Sequence, residues 1–215
     1  SVDLSWDASV CSGNVHVHYK ESGANAWIDI LNVPNNPHSL AGLTPNTAYD
    51  WSVKCAGTAG WAATKMFTTT LAPQTYGPDD NFEAYLEEHN MGNGIPNDDS
   101  VLTSNINTVT SLDVGSNNIA DLTGIEDFTS LTTLYCYTNQ LTSLDVSNNV
   151  NLIELACQTN LLSTLDLRNG NNLNMSSFYA YSNPSLTCID VDDVAWATAN
   201  WTVAGWNIDS WASFS

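Results

Sequence analysis

Between Leu131 and Asn172 the chain nearly repeats itself, and this limits the possible folds more than any other feature. LTTLYCYTNQLTSLDVSNNVN (131–151) is followed directly by LIELACQTNLLSTLDLRNGNN (152–172). Leu131, Leu134, Cys136, Asn139, Leu141, Leu144 and Val146 return 21 residues later as Leu152, Leu155, Cys157, Asn160, Leu162, Leu165 and Leu167. A unit this short cannot bury its own apolar face, but stacked copies can, so the spacing predicts a solenoid with a continuous core. A looser unit precedes the pair (Val109, Leu112, Val114, Asn117, Ile119, Leu122, Ile125). A degenerate one follows it (Phe178, Ala180, Asn183, Leu186, Ile189, Val191). About four rungs are expected over 109–191.

The LxC segment of each unit reads as a strand whose alternate residues point inward. Leu134, Cys136, Leu155 and Cys157 are then core residues, the cysteines as small apolar thiols rather than a disulfide. The recurring Asn117, Asn139, Asn160 and Asn183 are expected to bond backbone groups where each rung turns. LTSLDVSNN also fits the rung motif, so each unit carries two half-motifs in different phases. Aligning LYC and LAC with the LDV of the first rung turns four triplets outward: Ser111, Asp113 and Gly115; Thr133, Tyr135 and Tyr137; Glu154, Ala156 and Gln158; Ser177, Tyr179 and Tyr181. With strands about 4.8 Å apart, Tyr135 and Tyr179 flank Ala156 at about 9–10 Å, and Tyr137 and Tyr181 flank Gln158 likewise. Tyr135, Tyr137, Glu154, Gln158, Tyr179 and Tyr181 are the candidate ligand-binding residues, an aromatic platform for a sugar or a partner's loop. The competing reading is that tyrosines simply suit strands.

Before the repeats, VDLSWDAS, NVHVHYKE, AWIDIL, AYDWSVKC and KMFTTT are short alternating runs separated by turns, which predicts an antiparallel β-sandwich over 1–70. Val15, Val17 and Tyr19 share one face; His16 and His18 take the other, where two solvated histidines are expected rather than a metal site. LAPQTYGP (71–78) reads as a linker. Residues 79–108 form a cap for the solenoid, with a helix started by Asp80 and Glu83 and an apolar stripe of Phe82, Tyr85 and Leu86. GNGIPNDDS (92–100) is either an ordinary acidic loop or a calcium loop without EF-hand spacing; Asp190, Asp192 and Asp193 suggest calcium more weakly, and no other cofactor is indicated. In 192–215, Trp196, Trp201, Trp206 and Trp211 are five apart, which fits no regular period. A Trp-rich C-terminal cap is expected, with carbohydrate stacking by exposed rings as the alternative.

Two resemblances follow. Trp6, Tyr19, Trp27, the LxPxTxY element (Leu43, Pro45, Thr47, Tyr49) and the closing FTTT make residues 1–70 resemble a fibronectin type III domain lacking its first strand. The resemblance implies that Tyr49 forms a tyrosine corner. It also puts Cys11 and Cys55 at the same pole of the sandwich, where a disulfide is geometrically plausible. The rung motif, LxxLxCxxNxLxxLxV, is a leucine-rich-repeat spacing, and residues 78–215 resemble repeats of bacterial surface proteins, internalin-like and of the Asn/Asp-rich kind in secreted Bacteroidetes proteins. That resemblance implies an extracellular or cell-surface location and a role in adhesion or recognition.

Charge narrows the partners. Residues 1–70 carry three Lys and Arg against five Asp and Glu; residues 71–215 carry one against 18. A surface this acidic repels phosphates, so nucleic acid is excluded as a ligand, and no apolar run is long enough for membrane insertion. No leader or lipidation motif is seen, and the abrupt start inside a strand reads as a mature or excised fragment of something longer. No nucleophile elbow, zinc helix or phosphate loop occurs, so the chain is not expected to be an enzyme. The expected ligand is a protein or polysaccharide held by a monomer, with a polysaccharide-processing accessory role or a passive spacer as alternatives.

Overall fold

The computed structural model describes residues 2–7, 14–34, 36–70 and 72–215. They fall into two compact units, Ser1–Ala72 and Pro73–Ser215.

In the first unit, β1 (Val2–Leu4) pairs antiparallel with β4 (His38–Leu40). β2 (Val15–Glu21), β3 (Ile28–Val33), β5 (Ala48–Cys55) and β6 (Lys65–Thr68) form a second antiparallel sheet in the order β3-β2-β5-β6. Alternation along the strands turns Leu4, Val15, Val17, Val33, Leu40 and Trp51 into one shared core. Tyr49 is buried, and its hydroxyl accepts the Thr44 backbone N–H at 3.0 Å, tying the start of β5 to the turn before it. The expected Cys11–Cys55 bond involves Cys11, which lies outside the described residues; Cys55 is disulfide-bonded.

The outer face of β2 differs from expectation. His18 is only 8% exposed, not solvated. Its ring is stacked between Trp27 and Trp61, with centroids 3.8 and 3.5 Å away, and its Nδ1 lies 3.8 Å from Asp29. Lys20 and Lys54 lie over those same tryptophans, at 5.0 and 4.6 Å. Period-two reading missed this because the covering rings come from remote turns. Burial pushes the His18 pKa below 6.5 and Lys54 adds to that, against the opposing pull of Asp29. The folded state therefore binds fewer protons than the unfolded chain, so His18 contributes stability above about pH 6.5 that is lost as pH falls through its folded pKa. Denaturation of the first unit at pH 7.5 and pH 5 should show this loss, and His18→Gln should remove most of it. An equal loss in the variant would refute the assignment.

The second unit opens with β7 (Gln74–Tyr76), paired with β8 (Ser100–Leu102), so the stretch expected as a linker contributes a strand. α1 (Asp80–Glu88) buries Phe82 and Leu86 in the core of the repeats. Its N-cap is Asp79 rather than Asp80, accepting from Asn81 and Phe82, while its other oxygen holds the Ala120 and Asp121 N–H groups. Glu83 does not complete a capping box. It is buried, and its carboxylate accepts the N–H groups of Asp98 and Asp99. α2 (Thr103–Ile106) then leads into the repeats.

Both half-motifs become strands. β9 (Ser111–Asp113), β10 (Thr133–Tyr135), β12 (Glu154–Ala156) and β14 (Ser177–Tyr179) form one parallel sheet. β11 (Ser143–Asp145), β13 (Thr164–Asp166), β15 (Cys188–Asp190) and β16 (Ser213–Phe214) form another. Between them runs one core from Phe82 to Ile208, including every leucine of the 21-residue repeat except Leu161. Cys136 and Cys157 are buried free thiols, with burial pushing Cys157 up to about 12 and Cys136 well above its ordinary value. They pack as protonated apolar groups.

The asparagines link successive rungs. Asn139 Oδ1 accepts from Asn117 and Ile119 at 3.0 Å, and Asn160 Oδ1 accepts from Leu141 at 3.1 Å. Asn160 Nδ2 donates to the carbonyls of Cys136 and Cys157, and Asn183 Nδ2 to those of Cys157 and Ala180. At the C-terminal end Asp209 takes over, its carboxylate accepting from Ser182 and Asn183. The tail thus adds a partial fifth rung: Asn207 O accepts the Ala180 N–H, and β16 extends the second sheet. After α3 (Val194–Asn200), Trp201 is buried against Phe178, with centroids 4.5 Å apart, whereas Trp206 and Trp211 are exposed.

Candidate functional site

The first parallel sheet presents the outward triplets in register. Ser111, Thr133, Glu154 and Ser177 make one row; Asp113, Tyr135, Ala156 and Tyr179 make the next. Ladder bonds from Ser116 to Tyr137, Thr138 to Gln158 and Thr159 to Tyr181 carry the alignment onward, giving a third row of Gly115, Tyr137, Gln158 and Tyr181. Ala156 is buried and forms a floor between half-buried Tyr135 and exposed Tyr179.

Each candidate side chain has a distinct setting. Tyr135 donates its hydroxyl to Glu154 Oε2 at 2.6 Å, which fixes ring and carboxylate together. This bond raises the Tyr135 pKa above 10.0, helped by desolvation and by the charges of Glu154 and Asp113, so the phenol keeps its proton at neutral pH. Tyr137 lies across Gly115: a Cβ there would come within 2.4 Å of the ring's Cζ, so only glycine accommodates this pose. Gln158 Oε1 is buried without a hydrogen-bond partner among the described residues. Tyr181 meets Trp206 edge-to-face, with centroids 5.9 Å apart. Gly115 was expected to face outward, but its part in seating the Tyr137 ring was not foreseen, and neither was Trp206 as a neighbour of this surface.

The second sheet carries a different row, Asp145, Asp166 and Asp190, from adjacent strands. Arg168 binds both oxygens of Asp166 and approaches Asp190 to 3.8 Å. This contact holds the Asp166 carboxyl below its usual range. Among the described residues, no group of three or more His, Cys, Asp or Glu is arranged to hold a metal ion. In the 92–100 loop the Asp98 carboxylate accepts the Ser100 N–H and the Asn93 side-chain amide, and Asn93 Oδ1 accepts the Ile95 N–H.

Residues 107–149 match the family model described as leucine rich repeats, in two copies. Over those residues the stacked units match leucine-rich repeats. Internalin J of Listeria monocytogenes serotype 4b is 39% identical over 87 residues, which are 38% of this chain and 9% of that protein. Among solved structures, the functional domain of InlJ from Listeria monocytogenes, described as including a cysteine ladder, is 32% identical. The match covers 54% of this chain and 28% of that one, with a TM-score of 0.42. An internalin from the same species, InlF, is 22% identical, covering 57% of this chain and 41% of that one, also with a TM-score of 0.42. This chain therefore spans a minor part of each of these relatives. No helix among the described residues is long and apolar enough to cross a membrane.

Proposed function

We propose that this chain is a recognition module of an extracellular or cell-surface bacterial protein, which holds a protein or glycan on the first parallel sheet of its repeats. The observation that carries this reading is the buried, unpartnered Gln158 Oε1 in the same row as Tyr137 and Tyr181. An acceptor left unpaired costs about 1–3 kcal/mol, which turning the amide outward to a ligand donor in that row would recover. Tyr135, Glu154 and Tyr179 supply the adjoining contacts. Residues 79–108 and 192–215 act as caps of the solenoid, α1 through Phe82 and Leu86 and the tail through Trp201. The first unit acts as a fibronectin type III-like spacer; its sheet order and the Tyr49–Thr44 bond support that assignment.

The full chain should be screened on glycan and extracellular-protein arrays beside Tyr135→Ala/Tyr179→Ala. Loss of at least about tenfold in affinity at unchanged melting temperature is the expected result. Undiminished binding by the double variant would remove this face as the site.

A further inference from the structure

Trp206 stands out among the residues of the second unit. Its φ is +60°, and of the eleven non-glycine residues with positive φ among the described residues it is the sole aromatic one, the others being Asn, Asp, Ser or Thr. A bulky side chain in the left-handed region is strained, and the strain is not repaid by burial, since Trp206 is 69% exposed. What the backbone achieves there is to stand an indole edge-to-face with Tyr181 at the lip of a cleft. The cleft has a volume of about 440 Å³, within the roughly 300–1,000 Å³ of small-molecule sites. Trp211, 52% exposed, and Val203 line it with Trp206 and Tyr181, and Ser182, Asp209 and Ser210 supply its polar rim.

The chemistry of this lining selects its ligand. The ring faces offer flat apolar surface. Yet the Tyr181, Ser182 and Ser210 hydroxyls and the indole N–H groups of Trp206 and Trp211 make no hydrogen bond to any described residue. An apolar protein plug would strip water from these five groups and leave them unpaired, whereas a pyranose has both a C–H face for the rings and a girdle of hydroxyls for the polar groups. Asp209 is held in place by the N–H groups of Ser182 and Asn183, and its remaining lone pairs face hydroxyl donors well. The second unit carries one Lys or Arg against 18 Asp and Glu, so anionic sugars are repelled. We infer that the cleft between Tyr181, Trp206 and Trp211 is a binding site for a neutral polysaccharide, separate from the Tyr135–Tyr179 face and sharing only Tyr181 with its edge.

The test is titration of the full chain with cellohexaose, xylohexaose, mannohexaose and laminarihexaose, with hexagalacturonate as the anionic comparison. Wild type, Trp206→Gly, Trp211→Ala and Tyr135→Ala/Tyr179→Ala are compared. At least one neutral hexaose should bind; Trp206→Gly and Trp211→Ala should each weaken it by at least about tenfold, and the double tyrosine variant should not. Glycine is at ease at φ +60°, so Trp206→Gly should also melt at the same temperature as wild type or higher. Absence of binding to every neutral hexaose, preference for hexagalacturonate, or retained binding in Trp206→Gly would overturn the inference. So would a lowered melting temperature in Trp206→Gly, which would make Trp206 a packing residue. Loss confined to the double tyrosine variant would place the sugar on the first parallel sheet and overturn the cleft alone.

Discussion

Asn160→Ala should cost the repeat unit roughly 3 kcal/mol or more, a large share of what a domain of this size has to lose. The side chain is almost wholly buried and joins two rungs: its oxygen accepts from Leu141, and its amide donates to the carbonyls of Cys136 and Cys157. Alanine leaves these backbone groups short of partners where water does not reach. Asn117 is the internal control. It is half-buried, and its amide donates only to the Gly115 carbonyl two residues away, so Asn117→Ala should cost under about 1 kcal/mol. Urea denaturation of both variants measures the difference, and equal midpoints would mean that the asparagines do not bind the rungs together.

The second large effect is expected at Trp201. This indole is 5% exposed, packs on Phe178, takes Trp196 edge-on at 5.3 Å and lies 5.9 Å from Phe214. Truncation to alanine should cost about 3–5 kcal/mol, as for other buried aromatic residues. In a stacked array the damage stays close to its origin, because each rung touches only its neighbours. Hydrogen exchange should therefore accelerate strongly in β14, β15 and β16 while the β9 and β10 amides keep most of their protection. Uniform acceleration throughout would show that the unit opens as one body and that the tail secures more than its end.

The core was legible because it depends on period alone. Leu131, Leu134, Cys136 and their copies 21 residues on are buried as the spacing requires. The phase of the first sheet could be read from the way the LYC and LAC segments align with the first LDV. The second sheet could not, since LTSLDV appeared as a rival for the same role when it is a strand of its own. Other differences arise where long-range partners outweigh local pattern. His18 points outward from its strand but is covered by rings from two turns. Glu83 is three residues after Asp80, the spacing of a capping box, yet the helix is capped by Asp79 and Glu83 bonds the loop at Asp98 and Asp99. The four tryptophans, five residues apart, fit no single period because Trp201 is buried, Trp196 is half-buried, and Trp206 and Trp211 are exposed. Within the candidate surface, tyrosine positions followed from alternation, but the Tyr135–Glu154 bond and the unpaired Gln158 oxygen depend on rotamers that no periodicity encodes.

Arg168 has a consequence beyond its grip on Asp166. It is the sole Lys or Arg in residues 73–215. Trypsin therefore has a single peptide bond to cut in the whole repeat unit, directly after β13, and the side chain it must capture is held by the carboxylates of Asp166 and Asp190. To trypsin the unit is a nearly blank substrate. The one nick, releasing residues 169–215, becomes a clock for how often the rungs around β13 and β15 part.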